Sequence, residues 1–404
     1  TAAALGDRFG RRRILSLGMA LFTAASAACA LAPNAGALVV ARAVQGCGAA
    51  MVMPLSLTIL IAAFPPERRG AVVGIWGGIA GLAVASGPLV GGAVTQGLDW
   101  QWVFWINVPI GMVASVLSTA MLAESRGPAT RVDLPAVALA TGGAIGLVWG
   151  LVRAGEVGWT SLETLAALGA GVLLLAGFVA WEWRAPEPML PLRLFGSLGF
   201  SAAIVTGALM TAALTAAAFL VAQYFQGVLR LSPLDAGLRL LPWTATPLVV
   251  APLAGALSDR IGQRPLMTLG MLLQGAGFAW IAMVASTGTG YGQLLLPLVV
   301  AGVGVSMVLP AAPTAVLNAV APADMGKASG TNSTLQRFGG AFGVAVTTAV
   351  FAAHGHLGTA ASFDAGFRPA VAVAGGLSLL GAVSALAVAR RRSVPARAES
   401  RVAA

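Results

Sequence analysis

Charge is what this chain of 404 residues has least of: Asp, Glu, Lys and Arg make up 9% of it, while 58% is hydrophobic. Ordinary globular chains carry about 25% charge, so a water-soluble domain is excluded. Acids are the scarcer sign, 14 against 24 Lys and Arg. All of them fall in loops or at the ends of apolar runs, which leaves no carboxylate at membrane mid-depth in the sequence. There are two cysteines, Cys29 and Cys47, inside apolar runs at different depths. That excludes a disulfide framework and makes both small buried hydrophobes. The two histidines, His354 and His356, sit in one outer loop and lack the third ligand a metal site needs. There is no zinc spacing, nucleophile elbow, phosphate-binding loop or insert long enough for a soluble domain. An enzyme is therefore not expected. No catalytic residue, metal or cofactor is expected either, and without a Walker motif ATP is not the expected driving force.

What the chain has is apolar runs of about 20 residues, the length that spans a bilayer core. Spans are expected near 14–33, 37–63, 71–95, 101–122, 134–153 and 161–183, then 199–226, 236–257, 266–287, 292–317, 328–353 and 368–389. The net charge of +10 could suggest a polyanionic partner. The placement of the arginines argues otherwise. With Leu5–Arg13 on the cytoplasmic side, the same side receives Arg68, Arg69, Arg126, Arg131, Arg184, Arg193, Arg260, Arg264, Lys327 and the arginines after 389. The opposite side receives only Arg153, Arg230, Arg239 and Arg368. This is the positive-inside bias, and it sets orientation with no nucleic acid needed.

The organising repeat is charged. Leu5–Arg13, LGDRFGRRR, returns as LSDRIGQR at Leu257–Arg264, each copy between apolar segments. Gly46–Pro54, GCGAAMVMP, likewise returns as GVGVSMVLP at Gly302–Pro310, and the same offset carries Gly70 to Gly326, Gly74 to Gly330 and Gly87 to Gly343. Two spans precede Asp259 and six residues precede Asp7. The repeat therefore predicts two further helices ahead of the first loop, fourteen in all, with both termini cytoplasmic. The expected division is 1–123 as the N-terminal half (helices 3–6 of fourteen), 124–198 as a linker with two extra transmembrane helices, 199–389 as a C-terminal six-helix half, and 390–404 as a basic cytoplasmic tail. Parallel six-helix halves are the architecture of major-facilitator transporters.

Several motifs carry a closer resemblance. Leu5-Gly6-Asp7-Arg8-Phe9-Gly10-Arg11-Arg12 resembles the loop motif G-x-L-A-D-R-x-G-R-K, with Ala3 in place of the leading glycine. Arg42-Ala-Val-Gln45-Gly46-Cys-Gly48 resembles R-x-x-Q-G-x-G of the fourth helix. Gly74, then Gly87-Pro88-Leu-Val-Gly91-Gly92, resembles the antiporter motif of the fifth helix, where Ala83 replaces one glycine. Trp100-Gln-Trp102-Val-Phe104-Trp-Ile106-Asn107-Val-Pro109 resembles W-R-W-I-F-x-I-N-x-P, with Gln101 in place of arginine. Over essentially its whole length the chain is similar to the fourteen-helix drug:proton antiporters (EmrB/QacA type) of the major facilitator superfamily. The resemblance implies an inner-membrane exporter of amphiphilic small molecules driven by protons, with a monomer in the lipid bilayer as the working unit. The runner-up expectation is a dedicated exporter of one metabolite or self-made antibiotic. The family carries an aspartate in its first helix, which this chain lacks.

Each motif also has a physical reading. Asp7, Arg8, Gly10 and Arg11, with Asp259, Arg260 and Gly262, are expected to latch the cytoplasmic face. An acid can sit at the positive N-terminus of a helix in the other half, near Gly326 for Asp7 and near Gly70 for Asp259. The plainer alternative is that these arginines only set orientation. A charge such as Arg42 inside a span costs about 3 kcal/mol on insertion scales, so it faces a cavity or a partner. In the repeat Arg42 becomes Leu298 and Gln45 becomes Ala301. The fold therefore does not require polarity there, and proton coupling is the role the resemblance implies. A structural bridge to backbone carbonyls is the alternative. The Gly87, Pro88, Gly91 and Gly92 stretch lets helices approach and bend. Gln45, Trp105, Asn107, Asn332, Gln336 and Arg337 are the substrate-cavity candidates.

Overall fold

The computed structural model describes all residues except 1, 65–82, 84–85, 128–132, 187, 189, 191, 287, 322–323, 357 and 390–404; the side chains at 2–4, 57, 61–62, 155–156, 259 and 326 are likewise not described. Among the described residues the chain is helical throughout. In order it forms α1 (Ala2–Phe9), α2 (Arg11–Ala30), α3 (Ala35–Ala63), α4 (86–97), α5 (Trp102–Trp105) and α6 (Asn107–Met121). Then come α7 (Leu134–Val157), α8 (Leu162–Arg184), a short 3-10 turn (Leu192–Gly196), α9 (Leu198–Gly227), α10 (Pro233–Thr244) and α11 (Thr246–Ile261). The last four are α12 (Gln263–Val284), α13 (Tyr291–Asn318), α14 (Met325–His354) and α15 (Ala360–Ala385).

Among the described residues 10 helical segments are long and apolar enough to cross a membrane. Of the two other expected spans, 71–95 lies largely outside the described residues, with α4 as its visible end. The other, 328–353, is α14, a helix of 30 residues whose first turns carry Lys327, Asn332, Gln336 and Arg337. Short polar caps set the starts: Asn34, Asp133, Ser161, Ser197, Ser232 and Thr359 each accept the backbone N–H three residues on. A cap of this kind is worth about 1 kcal/mol. Thr359 starts α15 at Ala360, ahead of the 368 expected from hydropathy, so Asp364 stands on the helix and not in a loop. Prolines interrupt the long spans. Pro242 and Pro247 flank the break between α10 and α11, and α13 contains Pro297, Pro310 and Pro313.

The two halves reuse one packing device. In α2 and α3 a Cβ at Gly48 would lie 2.7 Å from Phe22 N and 2.8 Å from Gly18 O. In α12 and α13 a Cβ at Gly304 would strike Gln274 N and Gly270 O, so the same close helix crossing recurs at repeat-related positions. Only small residues allow backbones to meet this way, which is how helices associate where lipid removes the hydrophobic driving force. Among the described residues the second half has the larger packed interior, with Tyr224 stacked on Phe367 at 4.8 Å and its hydroxyl donating to Ser286 O at 2.6 Å. α7 and α8 cross at Gly146 and Gly171, and α7 rests on α14. Many large apolar side chains face outward, among them Leu173, Val116 and Met121. In a bilayer that surface is already in its preferred solvent.

Candidate functional site

The cytoplasmic loop is the first site. α1 ends at Phe9, and Gly10 turns the chain into α2 with φ 109 and ψ 123. Gly262 makes the equivalent turn into α12 with φ 85 and ψ 169. Residues with a Cβ rarely adopt these conformations, which explains why the repeat keeps glycine at both. The anion at the start of α2 is Glu124, from the segment after α6. Its Oε1 accepts Arg12 N at 3.0 Å, and its Oε2 lies 3.8 Å from Arg12 Nε and 3.6 Å from Arg13 Nε. Arg12 also donates to Leu122 O at 3.2 Å, and Arg11 N donates to Ser125 O at 2.9 Å. Glu124 thus uses the free N–H groups and positive end of α2.

Asp7 accepts two bonds from Arg11 at 2.8 Å, one turn along the chain. The expectation put Asp7 against α14, and in this structure it faces Arg11 instead. An arginine four residues away reaches it without any movement of the halves. The N-terminus of α14 carries its own Asp324, paired with Arg193 at 2.6 Å. Arg8 lies over Phe9, 5.1 Å from the ring centre. Arg260 stands in the last turn of α11. The side chain of Asp259 and the Gly70 region it was expected to meet are outside the described residues.

The second site joins α2 to α3. Arg42 donates to Gln45 Oε1, and its guanidinium carbon lies 5.7 Å from the centre of the Phe104 ring. Gln45 is 2% exposed; its amide nitrogen donates to Ser26 Oγ at 2.6 Å, and the Ser26 hydroxyl donates to Phe22 O at 2.7 Å. Cys29 Sγ stands 4.0 Å from Gln45 Oε1. Arg42 therefore has a polar partner and an aromatic face, worth about 0.5–2 kcal/mol for the ring contact. Gln45 anchors Arg42, which differs from its expected place on a cavity wall. Cys29 is buried, as expected, while Cys47 is exposed, and both are free thiols. Cys47 lies about one turn from exposed Val44, on the outer face of α3.

The third site is the crossing of α4 on α10, one helix from each half. A Cβ on Gly92 would collide with Pro233 O, and one on Gly237 would collide with Pro88 O. Gln96 Oε1 accepts Leu234 N at 3.1 Å across the same crossing. Pro88 and Gly92 thus face the other half directly, whereas among the described residues nothing comes within 4 Å of a Cβ built on Gly87 or Gly91. Gly74 lies outside the described residues. Gln96 and Gly237 went unread in the sequence. The repeat offers no cue to them, because contacts between halves are not repeated within a half.

The cavity candidates are not brought into one cluster. Gln336 Nε2 donates to Asn332 Oδ1 at 3.2 Å, and Asn332 is buried against α9 near Gly207. Arg337 is exposed and reaches Met53 Sδ of α3 at 2.8 Å, a contact between halves. Asn107, at the start of α6, donates to Val103 O of α5 at 3.4 Å, and Trp105 is half-buried on α5. A groove of about 760 Å³ lies between α2 and α3, lined by Leu21, Ala25, Val40, Ala41 and Val44 among others, and holds none of these candidates. His354 Nδ1 sits 2.9 Å from Val350 O at the end of α14.

Residues 1–230 and 204–403 match the Major Facilitator Superfamily, and the chain belongs to it. With its membrane-crossing helices it is a multi-pass membrane protein of a transporter family. One relative is the tetracenomycin C resistance and export protein of Streptomyces glaucescens, 38% identical over 349 residues, 86% of this chain and 64% of that protein. Another is multidrug resistance protein Stp of Mycobacterium tuberculosis, 34% identical over 355 residues, 87% of this chain and 66% of that protein. The chain therefore spans just under two thirds of the length of either relative. The structure of a peptide transporter POT in complex with sulfate superposes with a TM-score of 0.65 at 20% identity, covering 95% of this chain and 81% of that one. That likeness concerns the fold alone.

Proposed function

We propose that the chain belongs to a fourteen-helix drug:proton antiporter that exports drug-like or natural-product molecules across the inner membrane. The observation that carries this reading is the polar set Arg42, Gln45 and Ser26 in the first half. At the repeat-related positions of the second half stand Leu298, Ala301 and Phe278, all buried and packed in one apolar cluster. One fold thus tolerates an apolar set there, and a charge inside a span is costly enough to point to a functional site by default. A guanidinium held at this depth favours the ionised form of any nearby carboxylate and releases that bias when the cavity changes access. The relatives named for export and multidrug resistance support small amphiphilic substrates. No cofactor is invoked, since the proton gradient supplies the energy, and both termini of the intact protein face the cytoplasm. The α4–α10 crossing is the hinge or seal between halves, and the Asp7 and Asp259 loops latch the cytoplasmic face in the opposite conformation. A dedicated exporter of one metabolite is the second reading, favoured by the tetracenomycin relative. A panel of cationic and neutral dyes, followed in liposomes with an imposed pH gradient, separates the two. Movement of several dyes fits multidrug export, and movement of none fits the dedicated exporter.

A further inference from the structure

We propose that Ser26 is a positioning residue that aims Arg42 by fixing which end of the Gln45 amide faces it. An amide side chain has one acceptor end and one donor end. Arg42 has donors only, so it can be held by the Gln45 oxygen and is repelled by the Gln45 nitrogen. The Ser26 hydroxyl is committed as a donor to Phe22 O at 2.7 Å, which leaves its oxygen to accept from Gln45 Nε2 at 2.6 Å. The nitrogen is thereby held toward α2 and the oxygen toward Arg42. The chain of bonds runs in one sense from Arg42 to the α2 backbone, and Ser26 is where its direction is set. Burial strengthens the effect: Ser26 is 0% and Gln45 2% exposed, so no water substitutes for the hydroxyl. Phe104 supports the guanidinium from the other side, without fixing its direction.

The internal repeat carries the second argument. The Gly10-to-Gly262 and Gly18-to-Gly270 correspondence places Phe278 opposite Ser26, just as Leu298 and Ala301 stand opposite Arg42 and Gln45. The three positions are polar together in one half and apolar together in the other. Phe278 packs edge-on to Trp243 at 5.6 Å, so the site is an ordinary core position when no arginine needs aiming. A serine that merely filled space between α2 and α3 would have no reason to change with the other two.

This inference rests on the proposed role of Arg42 for its effect on transport, but not for the geometry, and the test reads the two separately. In the liposome-reconstituted transporter, the rate at which phenylglyoxal modifies Arg42 is read by peptide mass spectrometry for wild type, Ser26→Ala and Ser26→Thr. Ser26→Ala is expected to be modified several-fold faster, and Ser26→Thr, which keeps the hydroxyl, at the wild-type rate. Gradient-driven transport is expected to fall about tenfold in kcat for Ser26→Ala with KM unchanged, and to return in Ser26→Thr. Equal modification rates in all three proteins would overturn the positioning role. So would wild-type transport by Ser26→Ala alongside an inactive Arg42→Ala. If Arg42→Ala itself transports normally while Ser26→Ala still speeds the modification of Arg42, positioning stands and the coupling reading is what fails.

Discussion

At the level of single residues, Gly10 shows how backbone and side-chain chemistry converge on one position. Its φ of 109 suits glycine alone, and a Cβ there would lie 2.7 Å from the Glu124 carboxyl carbon. Gly10→Ala is expected to lower stability by more than the roughly 1–3 kcal/mol of a strained backbone, because it also displaces Glu124 from the start of α2. Gly262→Ala carries the backbone strain at φ 85. Thermal unfolding in detergent should therefore rank wild type above Gly262→Ala and Gly262→Ala above Gly10→Ala. The reverse order of the two variants would show that Glu124 is not a constraint. Arg42 and Gln45 could be read from sequence because a charge in an apolar run stands out. Ser26 could not, since a serine in an alanine-rich helix has no cost when it bonds its own backbone. Only its hydrogen-bond direction and its pairing with Phe278 give it away. Glu124 was hidden for another reason. Its partners lie on a helix far away in the chain, and a loop acid has no periodicity to reveal it.

At the level of elements, the α4–α10 crossing separates motif residues that look alike in sequence. Gly92 touches backbone of the other half, while Gly91 and Gly87 meet none of the described residues. Gly92→Ala is expected to reduce transport by at least tenfold, and Gly91→Ala to leave it within about twofold, when both are expressed at equal levels. Equal losses would mean that the glycines act through α4 flexibility and not through this contact. Apolar length placed most helices within a few residues. It placed α14 within three residues despite the polar side chains on its first turns, and it missed only the start of α15, where the Thr359 cap sets the boundary in a stretch containing Asp364.

At the scale of the molecule, the α7–α8 pair packs on α14. α7 rests on α14, Arg193 pairs with Asp324 at 2.6 Å, and Lys327 donates to Pro188 O at 3.2 Å. These contacts tie the connector to the α14 end. A disulfide engineered across the α7–α14 contact should therefore leave transport intact, whereas one across α4–α10 should block it until reduced. Loss of transport with the first cross-link would show the pair moving independently of the second half. Two related halves could be read from the charged repeat, because turn glycines and crossing glycines answer to backbone geometry that both halves share. How the halves meet could not, since that surface differs by design between them.

The measurement closest to the central claim is substrate movement in liposomes carrying the full-length transporter, with an imposed pH gradient, for wild type and Arg42→Ala. Movement that depends on the gradient in wild type and is lost in Arg42→Ala is the predicted result. Movement that ignores the gradient, or that survives in Arg42→Ala, would contradict proton coupling through Arg42 and reduce the polar set to a structural bridge.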